Sequence, residues 1–261
     1  MNSLVASDLD RTLIYSAGAA GIDVAALECV ELYQGGPLSY LTPRAAGLLA
    51  ELAARAVFVP VTTRTREQYH RITLPAGEPA YAICANGGHL LVDGVTDQDW
   101  HDGVRKRLSE SAIPLGEVVD RVTGTAAAEW TLKRRTAEEL FCYLVVDRAA
   151  MPLSYVEELS GWCGERGWSV SLQGRKLYAV PHPLTKSAAV AEVARRAGTG
   201  TLLAAGDSLL DADLLEAADA AVRPGHGELA DAGWSAPGVH ALTERGVAAG
   251  EAILDWFLAR T

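Results

Sequence analysis

Residues 4–12 read LVASDLDRT. An apolar run with no polar side chain before Ser7 ends in Asp8-Leu9-Asp10, with Arg11 and Thr12 behind it. Continuous rather than alternating hydrophobicity suits a strand covered on both faces. Two carboxylates at the end of such a strand repel each other and resist leaving water unless a positive group stands beside them. Either the pair is a solvated turn, or the rest of the chain delivers cations to it.

The same kind of run recurs. AVFVPVT (56–62), AYAICAN (80–86), TLLAAG (201–206) and AAVR (220–223) are all apolar stretches that end in small or polar residues. Helical sequences stand between them. TPRAAGLLAELAAR (42–55) has a Thr N-cap followed by Pro in the first turn. LTKSAAVAEVARRAG (184–198) ends in Arg-Arg and Gly, and VAAGEAILDWFLAR (247–260) is a third helix. Strands alternating with helices predict an α/β core with a parallel sheet flanked by helices.

The middle third differs in character. A strand is expected at 89–93, a helix around 104–111, and strands at 130–134 and 141–147. A helix at 153–166 then precedes paired strands at 168–173 and 177–180, with Gly174 in the turn. WTLKRR (130–135) alternates in polarity, as an antiparallel strand with one wet face does. The division that follows is a first core segment, 1–88, an inserted α/β domain with an antiparallel sheet, 89–181, and a second core segment, 182–261.

Composition narrows the function. A net charge of −10 argues against nucleic acid, whose phosphates need clustered Lys and Arg. It leaves room for a small anion held by a metal ion and local cations. No apolar run approaches membrane-spanning length and the N-terminus lacks the form of a signal peptide, so a cytoplasmic protein is expected. Cys29, Cys84, Cys142 and Cys163 show no CxxC pairing and read as free thiols.

Functional groups in an open parallel sheet gather at the carboxyl ends of its strands. There this chain places Asp8 and Asp10, then Thr62, Thr63 and Arg64, then Asn86-Gly87-Gly88, then Asp207 and Ser208 with Asp211. Lys186 opens the helix before the strand that leads to Asp207. Several carboxylates with one Lys and hydroxyl groups make a hard, oxygen-rich site for a divalent cation beside a site for phosphate. That answers the question posed by Asp8 and Asp10.

Taken in order, DLDRT (8–12), VTTR (61–64), TKS (185–187) and GDSLLD (206–211) resemble the four motifs of haloacid dehalogenase-like phosphatases. The insert between NGG (86–88) and TKS lies where that superfamily's second type of cap occurs. The branch resembled contains sucrose-phosphatase, trehalose-phosphatase, mannosyl-3-phosphoglycerate phosphatase and phosphomannomutase. The resemblance implies a Mg2+-dependent phosphomonoesterase acting on a small phosphorylated metabolite, a sugar phosphate, with a phosphomutase or a non-catalytic metabolite-binding protein as alternatives. It implies Asp8 as nucleophile and Asp10 as the acid and base. Mg2+ would be held by Asp8, Asp10 through its carbonyl, and Asp207. Thr62 would bond a phosphoryl oxygen and Lys186 would offset the charge of Asp8. Asp211 would orient Lys186 or reach the metal through water. Arg64 would bind substrate or simply sit on the following helix. Asn86 is expected at a hinge with some substrate contact, and Arg175, with Arg134 and Lys176, as a cap residue reaching a distal anionic part of the substrate. The chain departs from the family at Arg11, where Gly is usual, and at Leu210, where Asn is common.

Overall fold

A computed structural model describes residues 3–124 and 129–261. They divide into two compact units, one of residues 1–97 with 186–261 and one of residues 98–185.

The first unit is built on a five-stranded sheet in the order Val239–Ala241, Ala220–Arg223, Thr201–Ala205, Ser3–Ser7, Val57–Pro60, with every neighbouring pair parallel. The central strand carries Leu4, Val5 and Ala6, none of them reached by solvent, as the unbroken apolar run requires. Beyond Val57–Pro60, a bridge from Val61 to Ile83 attaches an antiparallel set of Tyr81–Cys84, His89–Val92 and Val95–Thr96. Four helices, Pro43–Arg55, Lys186–Ala197, Ala212–Ala217 and Val247–Leu258, complete the alternation. Pro43–Arg55 starts as its sequence dictates, with the Thr42 hydroxyl accepting the Ala45 N–H and Pro43 in the first turn. The same hydroxyl donates to Glu251 at 2.6 Å, which ties this helix to the C-terminal one. Parallel register sets Ser7 against both Ala205 and Pro60. Asp8, Val61-Thr62 and Gly206-Asp207 therefore leave the sheet at one end.

Two elements of this unit carry no clear sequence signal. Val239–Ala241 is three partly exposed residues at the sheet edge. The hairpin Glu28–Tyr33 with Gly36–Leu41 hides its alternation behind register shifts between Cys29 and Leu32 and a buried Glu31. Cys29 on this hairpin is exposed, whereas the other three cysteines are buried free thiols.

The second unit has a four-stranded antiparallel sheet in the order Trp168–Gln173, Lys176–Pro181, Phe141–Val146, Thr131–Ala137. Its helices are Gln98–Ser111, Leu115–Val122 and Leu153–Gly164. The strand expected to open the insert, His89–Val92, instead pairs with Tyr81–Cys84 in the first unit. The first helix of the insert also starts earlier than expected, at Gln98, and Leu115–Val122 adds a helix the sequence reading passed over. Trp130 and Trp168 are buried in this unit.

Candidate active site

Asp8 follows the central strand and is 6% exposed. Its backbone N–H donates to Ala205 at 2.9 Å, holding the turn against the neighbouring strand. One carboxylate oxygen accepts from Lys186 Nζ at 2.7 Å and the other from the Thr12 hydroxyl at 3.2 Å. Lys186 is fully buried and donates also to Asp211 at 2.5 Å. The second oxygen of Asp211 accepts from the N–H groups of Asp207 and Ser208, at 3.1 and 2.9 Å, and from the Ser208 hydroxyl at 2.8 Å. Asp211 thus spends one oxygen on Lys186 and the other on the loop that aims Asp207. Gly206 permits this approach, because a Cβ there would lie 2.4 Å from the Asp211 side chain.

Asp207 pairs with Arg11, Nε to Oδ2 at 3.5 Å. Gly227, with φ of +95°, passes so close that a Cβ would lie 2.5 Å from Asp207 oxygens. Arg11 itself adopts a left-handed backbone, φ +65°, the conformation that glycine takes at least cost. His226 ties that turn in place. Its Nδ1 accepts the Gly246 N–H at 3.3 Å, so Nε2 carries the proton and donates to the Arg11 carbonyl at 2.8 Å.

The electrostatics follow from burial. Loss of water pushes the Asp8 carboxyl up to about 7 even with Lys186 beside it, and Asp211 and Asp10 add to the rise. Burial raises Asp207 as well, reinforced by Asp8 and Asp211. For Lys186, burial opposes the charge, but Asp211 and Asp8 together outweigh it and the ammonium is held. Asp8, Asp207 and Asp211 present carboxylate oxygens within 4.8 Å of one another. Asp211 accepts from Lys186 on one oxygen and from three donors on the other, whereas each Asp8 oxygen accepts a single bond and keeps a lone pair to offer. Asp8 and Asp207 are therefore the side chains fitted to a hard divalent cation, whose charge would offset an excess of buried anions.

The Asp10 carboxyl is clasped by Arg64, Nε to Oδ2 at 2.7 Å and Nη2 to Oδ1 at 2.8 Å. Both oxygens of that side chain are engaged by Arg64 and it is not part of the cluster of Asp8, Asp207 and Asp211, which leaves the Asp10 carbonyl as the atom to serve a metal. Arg64, expected to bind substrate or simply to sit on the following helix, is buried and reaches Glu31 at 2.8 Å and the Ser39 hydroxyl at 3.2 Å. The sequence reading missed Glu31 and Ser39; buried polar residues in a strand with broken alternation give little to read.

Thr62 is fully buried, and its hydroxyl accepts the Arg64 N–H at 3.1 Å. Asn86 is buried in a left-handed turn, φ +57°, and its N–H donates to the Thr62 carbonyl at 3.0 Å. Asp213 accepts the Ser187 N–H at 2.9 Å and so caps the helix that carries Lys186. Leu210 is buried. Ser208 meets the demands of Asp211 beside it without help from that position.

In the second unit, strand register separates the basic residues. Arg135 pairs with Tyr143, and Tyr143 with Tyr178, while Lys176 and Lys133 both pair with Val145. These residues share one face, where Lys176 Nζ lies 5.9 Å from the Tyr143 ring centre. Arg134 pairs with Leu144 and belongs to the other face. Arg175 sits in the hairpin turn, where its carbonyl accepts the Val146 N–H at 2.8 Å.

Comparison with solved structures places this geometry in a known fold. Sucrose-phosphatase from Synechocystis sp. PCC6803, solved with sucrose and phosphate, superposes with a TM-score of 0.66 at 18% identity, covering 98% of each chain. A subclass IIB sugar phosphatase of the HAD superfamily matches with a TM-score of 0.56 at 13% identity, covering 98% of this chain and 99% of the other. Trehalose-6-phosphate phosphatase from Aspergillus fumigatus matches with a TM-score of 0.51 at 14% identity, covering 98% and 92%. The chain therefore has the fold of the haloacid dehalogenase phosphatases with a type-two insert. At the level of sequence, no protein-family model matches it, and no curated protein matches it either.

Proposed function

We propose that this protein is a Mg2+-dependent phosphomonoesterase that hydrolyses a small phosphorylated metabolite, a sugar phosphate, through an aspartyl-phosphate on Asp8. The observation that carries the reading is the buried Asp8–Lys186–Asp211 array with Asp207 beside it. A buried carboxylate fixed at one oxygen by a buried ammonium is oriented to present the other oxygen as a nucleophile. The likeness to sucrose-phosphatase and trehalose-6-phosphate phosphatase supports the substrate class.

Asp8 attacks phosphorus, the ester P–O bond breaks, and Asp10 gives its proton to the departing alcohol. A water then attacks the phosphoryl group, passing a proton to Asp10 as the P–O bond to Asp8 breaks. Phosphate leaves and both carboxyls return to their starting states. Lys186 and the Thr62 hydroxyl bind the phosphoryl oxygens, and Asp211 keeps Lys186 aligned. Asp8, Asp207 and the Asp10 carbonyl would hold Mg2+, which when bound neutralises charge on the phosphoryl group. Substrate choice is assigned to the inserted unit, with its basic and aromatic sheet face of Lys133, Arg135, Tyr143, Lys176 and Tyr178.

The test is phosphate release from a panel of sugar phosphates with Mg2+, for wild type and Asp8→Asn. Turnover by wild type and its loss in Asp8→Asn are expected. Phosphate release by Asp8→Asn at half the wild-type rate, in preparations free of contaminating phosphatase, would refute the assignment. Transfer onto a second sugar hydroxyl without net phosphate release would make the protein a mutase.

A further inference from the structure

We propose that Arg64, fixed by Glu31 and Ser39 of the hairpin, is the positioning residue for the Asp10 carboxyl, so that a hairpin remote from the motifs belongs to the catalytic apparatus. The inference rests on the phosphatase reading above.

The geometry is a closed array of two anions and two cations. Arg64 grips both oxygens of Asp10 at 2.7 and 2.8 Å, the two-pronged match that a guanidinium fork makes with a carboxylate. Its Nη1 lies 2.8 Å from Glu31, and its Nη2 donates to Ser39 at 3.2 Å. Ser39 in turn donates to Glu31 at 2.5 Å, and Arg71 donates to the other Glu31 oxygen at 3.2 Å. The Glu31 side chain is entirely buried, and that of Arg64 nearly so, whereas the Asp10 side chain is 40% exposed. The rigid end of the array lies inside the protein and its open end is the catalytic carboxyl.

Backbone contacts keep the hairpin from drifting. Tyr40 and Tyr15 exchange N–H···O bonds of 2.8 Å, and the Thr73 N–H donates to Val30 at 2.8 Å. The Arg64 backbone is pinned as well, its carbonyl accepting the Ala85 N–H at 2.7 Å. A buried ion-pair array is poor value as a staple, since apolar residues of similar volume hold a fold as well. It does what apolar residues cannot, which is to set the direction of a carboxylate. A carboxyl that must meet the leaving oxygen and later the attacking water needs that direction held within a few tenths of an ångström.

The role can be separated from a structural one by the leaving group. An alkyl alcohol departs only with a proton, whereas dinitrophenolate leaves as a stable anion. We expect Arg64→Met to lower kcat/KM for an alkyl sugar phosphate by about 10²-fold while changing that for 2,4-dinitrophenyl phosphate by roughly threefold or less. Asp10→Asn should show the same selectivity. Glu31→Gln should show it more weakly, because Arg64 keeps a hydrogen-bond partner there. Arg64→Lys preserves the buried charge and removes the fork; it is the variant that decides the matter if Arg64→Met does not fold. With dinitrophenyl phosphate these variants should also give a burst of dinitrophenolate, since the water step still needs Asp10. Equal losses on both substrates, or no loss on either, would overturn the role of Arg64 while leaving the phosphatase reading intact. A wild type that hydrolyses neither substrate would remove that reading and this one together.

Discussion

Because Asp8 and Asp207 are buried anions, the stability of the metal-free protein should fall as pH rises. The Asp8 carboxyl stands at about 7 against an ordinary 3.8, through burial first and then the neighbouring acids. Its folded value exceeds its unfolded one, so its contribution to stability is complete below pH 4 and is lost as pH climbs through 7. At about 1.4 kcal/mol per unit the full difference is about 4 kcal/mol, of which about 3 kcal/mol falls between pH 5 and pH 8. Asp207, raised by the same cause, acts in the same direction. Lys186 is also raised, but from 10.5 upward, so its contribution stays constant across this window. The assay is urea unfolding in EDTA, followed by tryptophan fluorescence, for wild type and Asp8→Asn at pH 5 and pH 8. Titrating groups that do not interact with Asp8 cancel in the difference, and Asp207, raised in part by Asp8, adds to it in the same direction. The variant should gain about 3 kcal/mol relative to wild type over that range. Millimolar Mg2+ should raise the wild-type midpoint at pH 8 and hardly move it at pH 5, since a cation binds the ionised pair. Wild-type and variant curves that ran parallel from pH 5 to pH 8 would refute the reasoning.

Other perturbations follow from the same geometry. Lys186→Met leaves Asp8 and Asp211 buried without their shared cation; it should cost about 3–5 kcal/mol at pH 8, less at pH 5, and abolish turnover, as read by urea unfolding and phosphate release. Gly227→Ala sets a methyl group against Asp207 at a backbone angle suited to glycine. It should weaken Mg2+ binding about tenfold or more, measured by titration calorimetry, with far-UV circular dichroism unchanged. Arg135→Ala and Lys176→Ala should shift preference among large sugar phosphates while sparing a minimal aryl phosphate, and Arg134→Ala, on the opposite sheet face, should leave both activities unchanged. A ratio of kcat/KM values for the two substrate classes checks this, and equal changes for all three variants would count against the face.

The end of the core that carries the proposed site was legible because its signals are local. Unbroken apolar runs mark strands buried on both faces, and the polar residues that end them must lie at the carboxyl edge of a parallel sheet. Asp8, Lys186, Asp207 and Asp211 could be placed together on that ground. The inserted unit was legible in outline, since WTLKRR alternates as an antiparallel strand does. Which basic residues share a face was not, because Arg134 and Arg135 differ by one position and only the register with Leu144 and Tyr143 separates them. The assignment of His89–Val92 to the first unit rested likewise on its partner, Tyr81–Cys84, since a four-residue apolar strand carries no mark of the sheet it joins. The partner of Asp10 lay furthest from the sequence's reach. Glu31, Ser39, Arg64 and Arg71 are scattered over 40 residues, and each alone reads as a surface polar group. Burial makes them an array, and burial is a property of the folded chain: a charge can leave water only where the tertiary structure brings it an opposite charge.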